Sequence, residues 1–125
     1  MKSITPEAVQ GRLDRFAGRE LYLHLETTGG MYTKGAHSAF VRNATIRVRR
    51  ALLTGDGPYR IGVETDSGWV YADGLTHWEL DGGERLLMAG VDEEGKLAVA
   101  VELGEEPFPG PGGAGVQRGD TGRGE

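Results

Sequence analysis

Gly55-Asp56-Gly57-Pro58-Tyr59-Arg60-Ile61-Gly62-Val63-Glu64-Thr65-Asp66-Ser67-Gly68-Trp69-Val70-Tyr71-Ala72-Asp73-Gly74-Leu75-Thr76 reads as a turn, a strand, a tight loop and a second strand. Pro58 lacks a backbone donor and the glycines beside it relax φ, so Thr54–Pro58 is a turn. With Asp66-Ser67-Gly68 as a three-residue hairpin loop, counting places Thr65 opposite Trp69, Val63 opposite Tyr71, Ile61 opposite Asp73 and Tyr59 opposite Leu75. One face then carries Tyr59, Ile61, Val63, Trp69, Tyr71 and Leu75. The other is cut down to small side chains at Gly62, Ala72 and Gly74, which suits close approach of another backbone. In this register Asp73 interrupts the aromatic face. A competing reading makes Asp73-Gly74 a turn in its own right.

Upstream, Thr5-Pro6-Glu7 is a helix start: a hydroxyl for the N-cap, a proline with φ already set, and an acid beside the positive helix end. Val9, Leu13 and Phe16 follow at helical spacing and Gly18 stops the run, which predicts an amphipathic helix over about residues 6–17. Leu21-Tyr22-Leu23-His24-Leu25-Glu26 alternates with period two and predicts a strand. Met31 to Ala39 is polar and Gly-interrupted, compatible with a short strand or a loop. Phe40 to Leu53 is the longest β-like run, with Ala44, Ile46 and Val48 on one side and Asn43, Thr45, Arg47 and Arg49 on the other.

Downstream, His77-Trp78-Glu79-Leu80 continues as a strand and Asp81–Glu84 turns it. Arg85–Val91 and Lys96–Leu103 predict a hairpin, with Val91 facing Lys96 and Arg85 facing Glu102 as an opposite-charge pair. Its strands are apolar on both faces, so both faces need covering, one of them by the N-terminal helix. The sum is an all-β fold: an antiparallel barrel or sandwich with one N-terminal α-helix. Residues 1–106 form the single domain. Residues 107–125, rich in Pro and Gly, cannot bury enough apolar surface to offset ordering entropy and are expected to be a disordered tail.

Composition narrows the function classes. A chain of 125 residues has room for one core. Its formal net charge of -5 argues against nucleic-acid and acidic-membrane partners, because neutralising phosphates needs surplus Lys and Arg. The lack of cysteine removes disulfides, thiolate nucleophiles and Cys-ligated metals. The first residues have no apolar core of signal-peptide length, and no run approaches the roughly 18 apolar residues of a membrane span; a cytoplasmic location is expected.

No His-Glu-x-x-His, Gly-rich phosphate loop or Gly-x-Ser-x-Gly elbow occurs. Three constellations carry what chemistry there is. His24 and Glu26 share a strand face roughly 7 Å apart. They could hold a metal with His77, or failing that His37, as third ligand, although a solvated strand face has the same composition. Tyr59, Trp69, Tyr71 and Asp73 could line a sugar or ligand pocket, with Arg60 or Arg42 meeting an anion; the bland alternatives are a β core and a turn aspartate. Arg42, Arg47, Arg49 and Arg50 form a basic cluster that could bind an anionic ligand or an acidic partner surface, but strand parity splits it between faces and neighbouring acids suffice to pair it.

Tyr22-Leu23-His24-Leu25-Glu26-Thr27-Thr28, Arg42-Asn43-Ala44, Gly57-Pro58-Tyr59-Arg60-Ile61-Gly62, Gly68-Trp69-Val70-Tyr71-Ala72-Asp73-Gly74-Leu75-Thr76 and Arg85-Leu86-Leu87-Met88-Ala89-Gly90 occur in that order. Together they resemble the YojF-like family of uncharacterised bacterial proteins, across about Ile4 to Phe108. The resemblance implies a cytoplasmic all-β fold with an N-terminal helix, and no particular activity. Members of that family tend to be encoded beside a zinc-dependent N-acetylglucosaminyl deacetylase of bacillithiol synthesis, which implies an accessory or partner role. This chain lacks the His-Pro-Asp-Asp type of metal motif such a deacetylase uses. The expectation is therefore a non-enzymatic interaction module without a cofactor that forms a homo-oligomer and binds a partner protein, the deacetylase being the candidate. Small-ligand binding is the alternative, and a metal-dependent hydrolase through His24, Glu26 and His77 the third reading.

Overall fold

The computed structural model describes residues 1–27, 39–82 and 84–109. Most of the segment Met31–Ala39, with His37, and the tail from residue 110 onward lie outside the described residues. The elements in chain order are β1 (Lys2–Ser3), α1 (Pro6–Asp14), β2 (Glu20–Thr27), β3 (Ala39–Thr54), β4 (Tyr59–Thr65), β5 (Trp69–Leu75), β6 (His77–Asp81), β7 (Arg85–Val91) and β8 (Leu97–Gly104). The strands form one antiparallel sheet in the order β1-β6-β7-β8-β2-β3-β4-β5.

The 16-residue β3 makes two layers out of that one sheet. Its first half pairs with β2 and its second half with β4. Past the bend, β4 and β5 turn back so that β5 packs over β7 and β8. The sheet does not close into a barrel; β1 and β5 are its two ends. The crossing of β5 over β7 requires glycine, because a Cβ on Gly90 would run into the carbonyl oxygen of Gly74 and lie 2.8 Å from Val99 Cγ1.

The core lies between the layers. Ile61, Val63, Ala72 and Leu75 of β4 and β5 meet Leu21, Leu23, Leu86, Met88, Val101 and Leu103 of the other layer. Each aliphatic side chain buried in full is worth about 1.5–3 kcal/mol. The inner cover of β7 and β8 is thus β5, and α1 packs against β3 instead. Val9, Leu13 and Phe16 of the N-terminal segment join the same core. The helix ends at Asp14, and the expected last turn tightens into i→i+3 bonds from Arg15, Phe16 and Ala17 to Arg12, Leu13 and Asp14. Thr5 precedes the helix in extended conformation, but its hydroxyl makes no capping bond.

Where β2 stops pairing, β3 would present an open edge. Gln10 of α1 fills it: its amide donates to the Ala51 carbonyl at 2.9 Å and accepts from the Leu53 N–H at 2.8 Å. A side chain thereby continues the ladder that β2 leaves off.

Two expected registers differ in the structure. In β7–β8, Leu87 faces Glu102 and Leu86 faces Leu103, two residues from the expected pairing, and Arg85 bonds Asp81 at 3.2 Å rather than Glu102. A two-residue shift keeps every side chain on its face, so the core reading survives. In β4–β5 the shift is by one residue, and it changes the functional surface.

Candidate functional site

Thr65 sets the β4–β5 register. Its N–H bonds the Gly68 carbonyl at 2.7 Å, and its hydroxyl oxygen accepts from Ser67 N–H at 3.2 Å and Gly68 N–H at 3.0 Å. The loop therefore shrinks from the expected three residues to Asp66 and Ser67. Glu64 faces Trp69, Val63 faces Val70, Gly62 faces Tyr71 and Ile61 faces Ala72. A one-residue shift exchanges the faces of a strand. Trp69 and Tyr71, expected beside Ile61 and Val63, point outward instead, 42% and 53% exposed. Two residues, Asp73 and Gly74, then stand against Arg60 alone, and this bulge restores the expected pairing of Tyr59 with Leu75. Gly74 takes φ 79° there.

The outer face of β3–β5 is a ladder of cations and rings. Trp69 and Tyr71 stack with planes 3° apart and centroids 5.5 Å apart. Arg50 stands over Trp69 at 5.6 Å and Arg60 over Tyr71 at 5.5 Å. Each guanidinium is also paired: Arg50 with Glu64 at 2.8 Å, and Arg60 with both oxygens of Asp73 at 2.6 and 3.2 Å. The hydrogen bond from Arg60, aided by its charge and opposed by desolvation, holds the Asp73 carboxyl below its ordinary range; the same bond raises Arg60. Asp73 is thus a salt-bridged, exposed residue at a bulge rather than a carboxylate set into a core.

Of the residues expected to line a ligand site, Arg60, Trp69, Tyr71 and Asp73 come together. Tyr59 packs half-buried against the core, and Arg42 lies in a different cluster. Arg47 and Arg49 meet one acid, Asp66, at 3.9 and 3.3 Å. Arg50 and Gly62 complete the face although neither was singled out in the sequence for this role; Gly62 carried the usable signal, as a glycine in a strand beside aromatics.

The second cluster centres on His24, 6% exposed. A bulge in β3 sets Arg42 and Asn43 jointly against His24 of β2, with Asn43 at φ 58°. His24 Nε2 lies 3.0 Å from Glu26 Oε1, and Nδ1 lies 3.2 Å from Arg42 Nη1. Phe108, 4% exposed, folds back over this cluster, which carries the ordered domain past the boundary expected at residue 106. His77 does not join. It bonds the Thr76 hydroxyl at 2.7 Å, and it stands in register with Ala89, Ala100 and then Glu26. Three strand spacings separate it from Glu26, roughly 14 Å. Among the described residues no group of three His, Cys, Asp or Glu side chains is placed to hold a metal ion.

A groove of about 920 Å³ runs along the crossing of β5 with the β7–β8 hairpin, with Pro58, Thr76, Val91 and Val99 on its walls and Asp73, Asp92, Glu93 and Glu94 at its rim. None of the helices among the described residues is long and apolar enough to cross a membrane.

Residues 3–108 match the family described as "Protein of unknown function (DUF1806)". This chain belongs to the DUF1806 family. It is 45% identical over 114 residues to the uncharacterized protein YojF of Bacillus subtilis strain 168, covering 86% of this chain and 98% of that one. The crystal structure of Bacillus subtilis YojF superposes with a TM-score of 0.77 at 46% identity, covering 86% of this chain and 96% of the other. The family match ends at Phe108, the residue seated against Asn43, so the DUF1806 unit includes the C-terminal return over β2 and β3.

Proposed function

We propose that this DUF1806 protein is a non-enzymatic cytoplasmic interaction module that binds a protein partner through the outer face of β3–β5. The observation that carries the reading is the Trp69–Tyr71 stack, exposed on the hairpin that ends the sheet and flanked by Arg50 and Arg60. Trp, Tyr and Arg are the residues that dominate binding hot spots, because they bury large rigid area at little entropic cost. The surrounding ion pairs form a polar rim that sets orientation more than affinity. The partner class to test first is the zinc-dependent N-acetylglucosaminyl deacetylase that the family resemblance implies. Self-association along β5 is the other contact open to this surface. Co-purification of the tagged chain from its native host tests the reading: a partner enzyme recovered at stoichiometric yield supports it, and recovery of monomer alone contradicts it.

The groove beside Asp73 favours a second reading, small-ligand binding. Its acidic rim disfavours an anion and suits a neutral, hydroxyl-rich sugar. A thermal-shift titration with N-acetylglucosamine and its conjugates checks this; saturable stabilisation supports the groove, and a flat response contradicts it.

A further inference from the structure

Beyond Gly104 the chain leaves β8 and crosses the outer face of β2 and β3. Asn43 receives it by both backbone groups of one residue: Phe108 N–H donates to Asn43 Oδ1 at 2.7 Å, and Asn43 Nδ2 donates to the Phe108 carbonyl at 3.1 Å. The guanidinium groups of Arg42 and Arg85 stand over the Phe108 ring at 5.8 and 5.3 Å, with the His24 ring edge-on at 6.5 Å. Arg42 ties two of these parts together, because Nη2 donates to the Pro109 carbonyl while Nη1 meets His24 Nδ1.

That last contact fixes the protonation of the imidazole. A guanidinium has donors and no acceptor, so the nitrogen it meets must offer a lone pair. His24 Nδ1 is therefore bare, and Nε2 carries the single ring hydrogen and donates it to Glu26. We propose that His24 is the proton-sensing element of a C-terminal latch. Neutral, it accepts from Arg42, Arg42 holds Pro109, and Phe108 stays seated. A second proton on Nδ1 turns an acceptor into a donor aimed at a cation. Glu26 keeps its bond to Nε2, Arg42 is expelled, and the Phe108–Pro109 segment loses one of its two anchors.

Four charged groups face the ring or lie beside it. From β2 Glu26 faces Nε2, and from β8 Glu102 stands opposite His24 in register. From β3 Arg42 faces Nδ1, and Arg85 of β7 lies beyond the Phe108 ring. A doubly protonated ring can still donate from Nε2 to Glu26 but can no longer accept from Arg42, so the group displaced is the arginine. Release uncovers the buried imidazole of His24 and the buried ring of Phe108 beside Glu26.

Nuclear magnetic resonance of the full chain, titrated across about pH 8 to pH 5 where histidine changes charge, tests the latch. The expected result is that the Phe108 amide and the Asn43 side-chain amide shift with the same midpoint as the His24 imidazole. In His24→Gln, which keeps a neutral donor and acceptor, those two signals should stay flat across the range. Should that variant not fold, Arg42→Gln keeps neutral hydrogen bonds and removes the cation, and there the latch signals should no longer follow His24. Latch signals that stay fixed while wild-type His24 titrates overturn the proposal, as do signals that follow pH equally in the wild type and in either folded variant.

Discussion

The Tyr71 ring lies across Gly62: a Cβ built on that glycine would stand 3.1 Å from Tyr71 Cε1 and 3.6 Å from Trp69 Cζ3. The glycine is the floor on which the exposed aromatic pair rests. A ring covering a strand glycine shields backbone that would otherwise be open to water, which is how sheets commonly compensate for glycine. The same arrangement leaves the outward edges of both rings available to a partner.

Gly62→Ala and Gly90→Ala should therefore differ sharply. At Gly62 the obstructing atoms belong to an exposed side chain that can swing away, so the change in stability should stay within about 1 kcal/mol. At Gly90 the obstruction is the Gly74 backbone and the buried Val99, and the cost should reach about 3 kcal/mol or more. Denaturant unfolding of the two variants measures both. Equal effects would mean that the two layers do not cross at Gly74 and Gly90.

Asn43→Gly should destabilise by about 1–3 kcal/mol, the cost of leaving buried polar groups without partners. Glycine tolerates the φ of 58°, so this variant removes the amide that holds Phe108 without adding backbone strain. Asn43→Ala should cost more, because alanine adds strain at positive φ. Chemical denaturation ranks the pair, and the reverse order would contradict the reciprocal bond as the main role of Asn43.

Gln10→Ala should cost about 1–3 kcal/mol by reopening the β3 edge at Ala51 and Leu53. Hydrogen exchange at the Leu53 amide reports the loss locally. An unchanged Leu53 protection factor would show that the helix contributes only its apolar side chains.

The Arg60–Asp73 pair has a defined pH sign. Its carboxyl is held below the ordinary range, so the pair's stabilisation is present above the unfolded carboxyl pKa and is lost as pH falls through the depressed folded value. Wild type and Asp73→Asn should therefore unfold differently near neutrality and converge in acid. Both groups are solvent-exposed, so the difference should be small and should shrink with added salt. A gap that widened in acid would contradict the assignment.

The hairpins and the helix were legible because alternation and helical spacing are local properties. The β4–β5 register was not, since one hydroxyl decided it. Thr65 closes the loop at two residues, and that single step moved Trp69 and Tyr71 from core to surface. The β7–β8 register also departed from its expected pairing, yet its two-residue shift left Leu86, Met88 and Val101 on the inner face. Phe108 was hidden by its company: between two prolines, in a Gly-rich stretch, it resembled tail composition. Its partner lay 65 positions away in sequence, at Asn43. Asn43 did carry a local hint, because asparagine is among the few residues that accept positive φ. His24 and Glu26 do meet as their spacing allowed, whereas His77 was separated from them by the strand order β6-β7-β8-β2, which no local pattern encodes.

The exposed aromatic ladder is proposed to bind a protein partner. Calorimetric titration of the N-acetylglucosaminyl deacetylase with the wild-type chain and with the double variant Trp69→Ala/Tyr71→Ala tests it most directly. The claim predicts saturable binding by the wild type and at least a roughly 30-fold loss in the variant, equivalent to about 2 kcal/mol for the removal of a hot spot, with the fold retained by circular dichroism. Equal affinity of both proteins for the enzyme, or no heat of binding from either, would contradict it.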